Sequence, residues 1–511
     1  MKERLIEIMD TTLRDGEQTS GVSFMPHEKL VIARALLHKL NVDRIEVASA
    51  HVSDGEMEAV KSITRWAKQT GRLDSVEVLG FVDGTKSVDW ITEAGCRHLN
   101  LLCKGSLRHC REQLGKEPEE HIREIRQVID YADAKGVGVN IYLEDWSNGM
   151  KDSPEYVFQV VDALRDSSIQ RYMLPDTLGI LNPLDLIRYV RRMVKRYPTL
   201  RFDFHAHNDY DLAISNVLAA VLSGCQGIHT CVNGLGERAG NAPLASVQAI
   251  LKDQFQARTH IRESRLGEVS RLVESYSGIA IPPNQPITGE NVFTQVAGVH
   301  ADGDKKAGLY QNALLPERFG RKRAYALGKN SGKANILKNL EELGLCLTPE
   351  QARSVTERII ELGDKKELVT QEDLPFIVSD VLGHGTLADE HVRLLSYVVT
   401  TAYSLKPLAS LRLEINGATY EESAQGNGQF DAFVRAIRHI YKEKLSRPFP
   451  WLTDYTVSIP PGGRTDAFVQ TTITWNWNGK TLRTRGLDAD QTEAAIKATI
   501  KMLNLIEQDF I

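Results

Sequence analysis

The sequence predicts an α/β protein in three parts. These are a TIM (β/α)8 barrel over residues 1–262, a mostly helical linker region with a lid loop over 263–390, and a small α+β domain over 391–511. Three observations predict it. Eight short β-rich runs alternate with amphipathic segments through the first half, in units of near-equal length. Polar residues able to do chemistry gather where those runs end, which in a barrel is the catalytic face. Beyond about residue 394, a plan of strands followed by a helix appears twice.

The runs are RLIEIMD (4–10), RIEVAS (44–49), SVEVLGFV (75–82), HLNLLCKG (98–105), GVNIYLED (138–145), RYMLPDT (171–177), LRFDFHAH (200–207) and GIHTCVNG (227–234). Each is rich in β-branched or large apolar residues over a strand's length. Between them lie helical patterns such as HEKLVIARALLHKL (27–40) and PEYVFQVVDALRD (154–166). A doubly wound sheet shares the alternation, but eight equal units favour the closed barrel. Residues 279–310 are loop-rich and polar, and helices are expected near 349–363 and 371–383. In the last part, LASLRLEING and ATYEESAQGNG read as strands before the helix QFDAFVRAIRHIYKEK. Three further strands, YTVSIPP, DAFVQTTITWNWNG and KTLRTRGL, precede the helix DQTEAAIKATIKMLNLIE.

Composition excludes several classes. The net charge is −5, and no basic run exceeds GRKR (320–323), so a nucleic-acid surface is not expected. No stretch of 18 apolar residues is present for a membrane span. The N-terminus enters a strand at once with no signal-peptide pattern, so a cytoplasmic location is expected. Six cysteines without a CxxC pair read as reduced thiols.

The chemistry concentrates in a few short polar segments. In HAHND, His205 and His207 are two apart on a strand and aim at one point. In DTTLRDGEQTSG (10–21), Asp15 adds a carboxylate and Arg14 a guanidinium directly after the first strand. Asp15, His205 and His207 form a two-histidine, one-carboxylate set suited to zinc, manganese or magnesium. Arg14 would face oxygen developing negative charge. Either segment alone also reads as a solvated strand end or a polar turn. NGLGERAGN (233–241) has GxGxxxG spacing, not the dinucleotide fingerprint. Its Asn241 offers a carbonyl oxygen as a fourth ligand, while Glu237 and Arg238 read as a loop salt bridge. YLEDW puts Tyr142 and Glu144 on one side of strand five, and Asp176 and Thr177 end strand six. Asp145 and Asp176 read equally as braces for neighbouring loops or as groups that orient the ligands. A lone His300 in GVHADGDKKAGLY is by itself an ordinary solvated histidine.

Together, DTTLRDGEQ, HAHND and NGLGERAGN resemble the three active-site signatures of the metal-dependent Claisen-condensing acyltransferases. That family includes the 2-isopropylmalate, homocitrate and citramalate synthases. The resemblance covers nearly the whole chain, and YLEDWSNG and VFTQVAGVHADGDKK are most similar to the citramalate-forming branch. It implies that acetyl-CoA is condensed with pyruvate on a divalent metal held by Asp15, His205, His207 and Asn241. Leu79, Leu102 and Tyr142 match positions that crowd the keto-acid pocket, and Thr177 matches the residue that binds the pyruvate carboxylate. Arg14 would hold the forming alkoxide, and Glu144 is a candidate base or water-orienting group. His300, Asp302 and Tyr310 match a catalytic cluster delivered by a neighbouring subunit, which implies a homodimer. The last domain resembles a regulatory domain. Phe430 and Asp431 fall in its effector loop, and isoleucine is the implied inhibitor. Larger keto acids, an acyl-CoA lyase and a non-catalytic amino-acid sensor are the competing readings.

Overall fold

A computed structural model describes residues 4–296, 312–328, 333–342, 347–364, 391–458 and 469–507, with isolated positions between 364 and 391. These residues form two compact units. The first runs to Thr294 and takes up the chain again from 312 to Ala324, and the second carries Tyr325 onward.

The first unit is a closed parallel barrel. Its strands are β1 (Glu7–Asp10), β2 (Arg44–Ser49), β3 (Val76–Phe81), β4 (His98–Lys104), β5 (Gly138–Glu144), β6 (Ile169–Asp176), β7 (Phe202–Ala206) and β8 (Gly227–Thr230). β1 closes onto β8 with Glu7 opposite Gly227 and Asp10 opposite Thr230. All eight coincide with the expected runs, because barrel strands are buried on both faces and read as apolar stretches. β1 and β7 are shorter than their expected runs, and so is β8. The continuation CVNG leaves the sheet, with Val232–Gly234 forming a 3₁₀ turn in which Asn233 is left-handed at φ 57°. There the Cys231 N–H turns to the Ala242 carbonyl. An Asn-Gly pair takes this conformation at little cost.

Outward-facing Ile45, Val47, Val78, Leu99, Val139 and Ile141 are buried in the main core with the surrounding helices. Inside the barrel a separate apolar cluster holds Met9, Leu79, Tyr142 and Met173, with Leu102 packed against it. Nearer the N-terminal strand ends the interior is charged but paired. Arg44 meets Glu77 at 3.0 Å and also Asp203, while Arg171 meets Glu7 at 2.5 Å. The end where the strands finish is thus floored by apolar side chains, and the opposite end is plugged by ion pairs.

The helix Leu266–Ser277 also packs in this unit through Leu266, Val269 and Val273. Arg318 pins the returning segment with a fork onto Glu263, 2.7 Å from each oxygen, and a second contact to Asp253 at 2.7 Å. Burial pushes the Glu263 carboxyl upward, but Arg318, Lys252 and Gln248 overcome it and hold it at about 2, below its usual 4.5. Folding therefore favours the ionised form. The stabilisation is complete above the unfolded value and is lost as pH falls toward 2. Glu263→Gln should cost about 2 kcal/mol at neutral pH. In denaturant titrations its deficit should stay constant down to about pH 5 and narrow below that. A deficit that widened on acidification would contradict this account.

The second unit ends in two antiparallel three-stranded sheets, each followed by a helix. Strands Val392–Thr400, Leu408–Ile415 and Ala418–Gln425 precede helix Gln429–His439. Strands Trp451–Ser458, Val469–Trp477 and Lys480–Asp488 precede helix Gln491–Glu507. Leu411, Leu413, Phe433, Ile437, Ile473, Trp475, Ile496 and Met502 form one core. The first strand, Val392–Thr400, was not expected as an element of its own. A register shift between Leu394 and Ser396 breaks its alternation and hides its period. Helix Pro349–Asp364 coincides with one expected linker helix, and most of 371–383 lies outside the described residues.

Candidate active site

The loop after β1 is shaped by local hydrogen bonds. The Asp10 carboxylate accepts from the Thr12 N–H at 3.0 Å, and the Thr12 hydroxyl accepts from the Val232 N–H at 2.8 Å. From helix Pro26–Arg34, the fully buried Lys29 ammonium reaches the Leu13 carbonyl, Glu17 and Glu56 at 2.6–3.1 Å. This lysine clamps the loop from behind and leaves Arg14 and Asp15 facing the barrel mouth.

β7 brings His205 and His207 to the same point. The two Nε2 atoms are 3.4 Å apart and lie 3.3 and 3.9 Å from Asp15 Oδ2. All three residues are buried. Ligands about 2.1 Å from a common ion stand roughly 3.0–3.5 Å from each other, so this spacing fits a divalent metal. Burial and the neighbouring His205 push His207 down to about 3, which keeps its nitrogen free to ligate. Burial alone would raise Asp15, but Arg14 and His205 hold it well below the usual carboxylate range. The Asn241 amide donates to Asp15 Oδ1 at 3.0 Å, to the Leu235 carbonyl at 3.1 Å and to Cys231 Sγ at 3.3 Å. Its buried Oδ1 has no partner among the described residues. A bare buried acceptor on an amide that bonds Asp15 and is bridged through its backbone to His207 fits a fourth ligand.

Arg14 connects this cluster to the barrel interior. Its Nε donates to Glu46 at 2.5 Å, its Nη1 lies 3.1 Å from Asp15, and its guanidinium stands 5.8 Å from the Tyr142 ring centroid. Burial works against the charge, but Glu46 and Asp15 hold Arg14 protonated. Behind Glu46, Asn100 donates at 2.7 Å and Asn140 donates to Asn100 at 2.9 Å. Glu46, Asn100 and Asn140 were not singled out from sequence. Each is a polar residue inside a strand with a remote partner, and only alternation with apolar neighbours could have marked them.

A pocket of about 220 Å³ opens over the cluster. Leu79, Phe81, Leu102 and Tyr142 form its apolar side, and Arg14, Asp15, Glu144, Thr177, His205 and His207 its polar side. The structure thus brings together every expected site residue of the barrel except Asn241, which lies just behind Asp15. The Tyr142 hydroxyl is 3.0 Å from His229 Nδ1. Burial holds His229 down at about 3, so this ring is neutral. Glu144 reaches the pocket but is ion-paired with Lys104, a buried cation not foreseen from sequence. The Thr177 hydroxyl accepts from the Asp145 N–H at 2.9 Å and keeps its own proton available.

Other candidates brace loops. Asp176 accepts from the N–H groups of Ile180 and Leu181 at 3.1 and 3.0 Å. Asp145, left-handed at φ 63°, accepts from Asn148 at 2.7 Å. Arg238 does meet Glu237, at 3.2 Å, but its fork goes to Asp209 at 2.7 and 2.9 Å, and it also donates to the Thr177 carbonyl. In the second unit, the Phe430 ring lies 5.3 Å from the Tyr455 ring at a tilt of 42°, and Asp431 accepts from the Asn427 N–H at 2.7 Å. His300, Asp302 and Tyr310 lie outside the described residues. Cys96, Cys103, Cys110, Cys225 and Cys231 are free and buried, and among the described residues no helix is long and apolar enough to cross a membrane.

Three family models match the chain in succession. They are HMGL-like over residues 5–273, homocitrate synthase post-HMGL domain-like over 287–367, and LeuA allosteric (dimerisation) domain over 368–507. Two curated relatives from Methanocaldococcus jannaschii match end to end. One is a 2-isopropylmalate synthase, 34% identical, covering 98% of this chain and 94% of that one. The other is an (R)-citramalate synthase, CimA, 32% identical, covering 98% of this chain and 99% of that one.

Proposed function

Because this chain belongs to the HMGL-like family and carries a LeuA allosteric (dimerisation) domain, we propose that it is a metal-dependent acyltransferase acting on pyruvate. Acetyl-CoA, pyruvate and water would give (R)-citramalate and free CoA, the first step of a pyruvate route to isoleucine. The relatives are named for two keto-acid products at nearly equal identity, so their names do not choose between substrates. One observation carries the choice of pyruvate: Leu79, Leu102 and Tyr142 crowd the apolar side of the pocket over the histidine cluster. On this reading the three walls would leave room for a methyl group and little for isopropyl, since a packed wall rejects the larger group by overlap.

Asp15, His205 and His207, with Asn241 Oδ1, would hold the ion, whether zinc, manganese or magnesium. The metal, when bound, supplies Lewis-acid polarisation of the keto acid. A basic group of the site takes a proton from the acetyl methyl group, Arg14 binds the ketone oxygen and stabilises the alkoxide as that carbon bonds to the ketone carbon, and the alkoxide then takes up a proton. The Thr177 hydroxyl donates to the pyruvate carboxylate. Glu144, held by Lys104, orients the water that cleaves the thioester and releases the thiol. His300, Asp302 and Tyr310 are proposed to come from a second copy of the chain and to complete the site beside the acetyl methyl group. Isoleucine is proposed to bind the C-terminal domain at the first turn of helix Gln429–His439, which carries Phe430 and Asp431 and where the Phe430 ring lies near Tyr455.

The test is thiol release from acetyl-CoA with added Mn²⁺ or Zn²⁺ and a panel of keto acids. Preference for pyruvate over 2-oxobutyrate, 2-oxoisovalerate and 2-oxoglutarate, with inhibition by isoleucine, is the expected result. Preference for 2-oxoisovalerate would overturn the pocket argument and favour a leucine-pathway enzyme. No release with any keto acid, but acetyl-CoA formed from a hydroxyacyl-CoA, would favour a lyase.

A further inference from the structure

His229 lies on β8 inside the barrel, buried and outside the pocket lining, yet it touches two parts of the site. Its ring meets Tyr142 edge-on at 5.5 Å and His205 edge-on at 5.5 Å. Its Nδ1 is 3.0 Å from the Tyr142 hydroxyl, and that is the one hydrogen bond this phenol makes among the described residues. Its Nε2 lies 3.6 Å from the Asp203 carboxylate, an ion-pair distance longer than a hydrogen bond. Asp203 is fully buried and held in turn by Arg44 and Arg171. With Nε2 turned to a carboxylate, the ring proton belongs on Nε2, and bare Nδ1 accepts the Tyr142 O–H. Tyr142 is therefore hydrogen-bonded at its far end to His229, a buried imidazole that faces Asp203 and, beyond it, Arg44 in the ion-paired plug of the barrel.

We infer that His229 is a specificity-determining positioning residue, tethering the Tyr142 ring across the pocket and so setting the length of keto acid accepted. The inference rests on the reading of this pocket as the keto-acid site. An aromatic wall held only by packing can tilt and admit one more methylene. A wall hydrogen-bonded to a buried imidazole must break that bond to do so, leaving a buried hydroxyl unpaired. A longer side chain is rejected by the tether as well as by the volume.

The test compares kcat/KM for pyruvate and 2-oxobutyrate in the Mn²⁺-loaded full chain, with each keto acid's Kd measured by calorimetry without acetyl-CoA. The variants are Tyr142→Phe, His229→Gln, His229→Ala and Tyr142→Phe/His229→Ala. Tyr142→Phe, which keeps the ring and loses the tether, should lower the preference for pyruvate about fivefold to tenfold, mainly through KM. His229→Ala should do the same, His229→Gln should restore part of it by accepting the same O–H, and the double variant should lose no more than the larger single. A preference within twofold of wild type in Tyr142→Phe, or losses that multiply in the double variant, would overturn the tether. Should His229→Ala fail to fold or to keep its metal, Tyr142→Phe still decides, because it leaves His229 and His205 intact. A wild type that prefers 2-oxoisovalerate would sink the substrate proposal alone, since the shift in preference on cutting the tether is read separately. A chain inactive with every keto acid is judged on the two Kd values.

Discussion

His207→Ala and Asp15→Ala should each lose the bound metal and about a thousandfold in thiol release while keeping the wild-type fold. The size follows from what the ion supplies to an alkoxide-forming step, about 4 kcal/mol, which is a factor of roughly 10³ in rate. The loss of metal follows from the geometry. Two Nε2 atoms and Asp15 Oδ2 converge with separations of 3.3–3.9 Å, and no other histidine, cysteine or carboxylate set among the described residues is so arranged. Retention of the fold follows from where these residues sit. They cap the open end of a barrel whose core of Val, Ile and Leu does not involve them. The measurements are metal content by mass spectrometry, circular dichroism and thiol release on the same preparation. A metal-free His207→Ala enzyme with wild-type turnover would end the metal reading. An unfolded variant would show that the cluster is structural.

The barrel was legible because its strands are buried on both faces and separated by amphipathic helices, so apolar runs and 3.6-residue periods alternate cleanly. Legibility failed where another force set the backbone. The end of β8 yields to the left-handed Asn233, and strand Val392–Thr400 is disguised by its bulge. The site divides the same way. His205 and His207 announce themselves because a spacing of two aims both at one point, and Asp15 and Asn241 stand in compact polar motifs at strand ends. Glu46, Lys104 and His229 do not. Each is a polar residue set among apolar neighbours in its strand, and each finds its partner 32, 40 or 87 positions away, at Arg14, Glu144 and Tyr142. Nothing local distinguishes such a residue from an ordinary satisfied polar group. Only closure of the barrel reveals what it holds.

Arg14→Lys should lower kcat by about 10²–10³ with a smaller change in KM, although the charge is preserved. The guanidinium does two things at once that an ammonium cannot. Nε is committed to Glu46 at 2.5 Å while Nη1 reaches Asp15 at 3.1 Å, and the planar fork holds both in one orientation toward the pocket. A lysine there can satisfy one carboxylate and leaves the other buried without its cation. Glu46 is fully buried and Asp15 nearly so, which makes that loss costly. The consequence extends to pH. Burial raises the Asp15 carboxyl, and Arg14 is the largest influence holding it down. With Arg14 replaced by a neutral group, as in Arg14→Met, Asp15 takes up its proton at a higher pH, and a protonated ligand competes with the metal. The acid limb of metal retention should therefore move upward in Arg14→Met, stay closer to wild type in Arg14→Lys, and be unchanged in a surface control such as Arg188→Met. Equal acid limbs in wild type and Arg14→Met would mean that the histidines, and not Arg14, keep Asp15 ionised. The guanidinium would then act on the substrate oxygen alone.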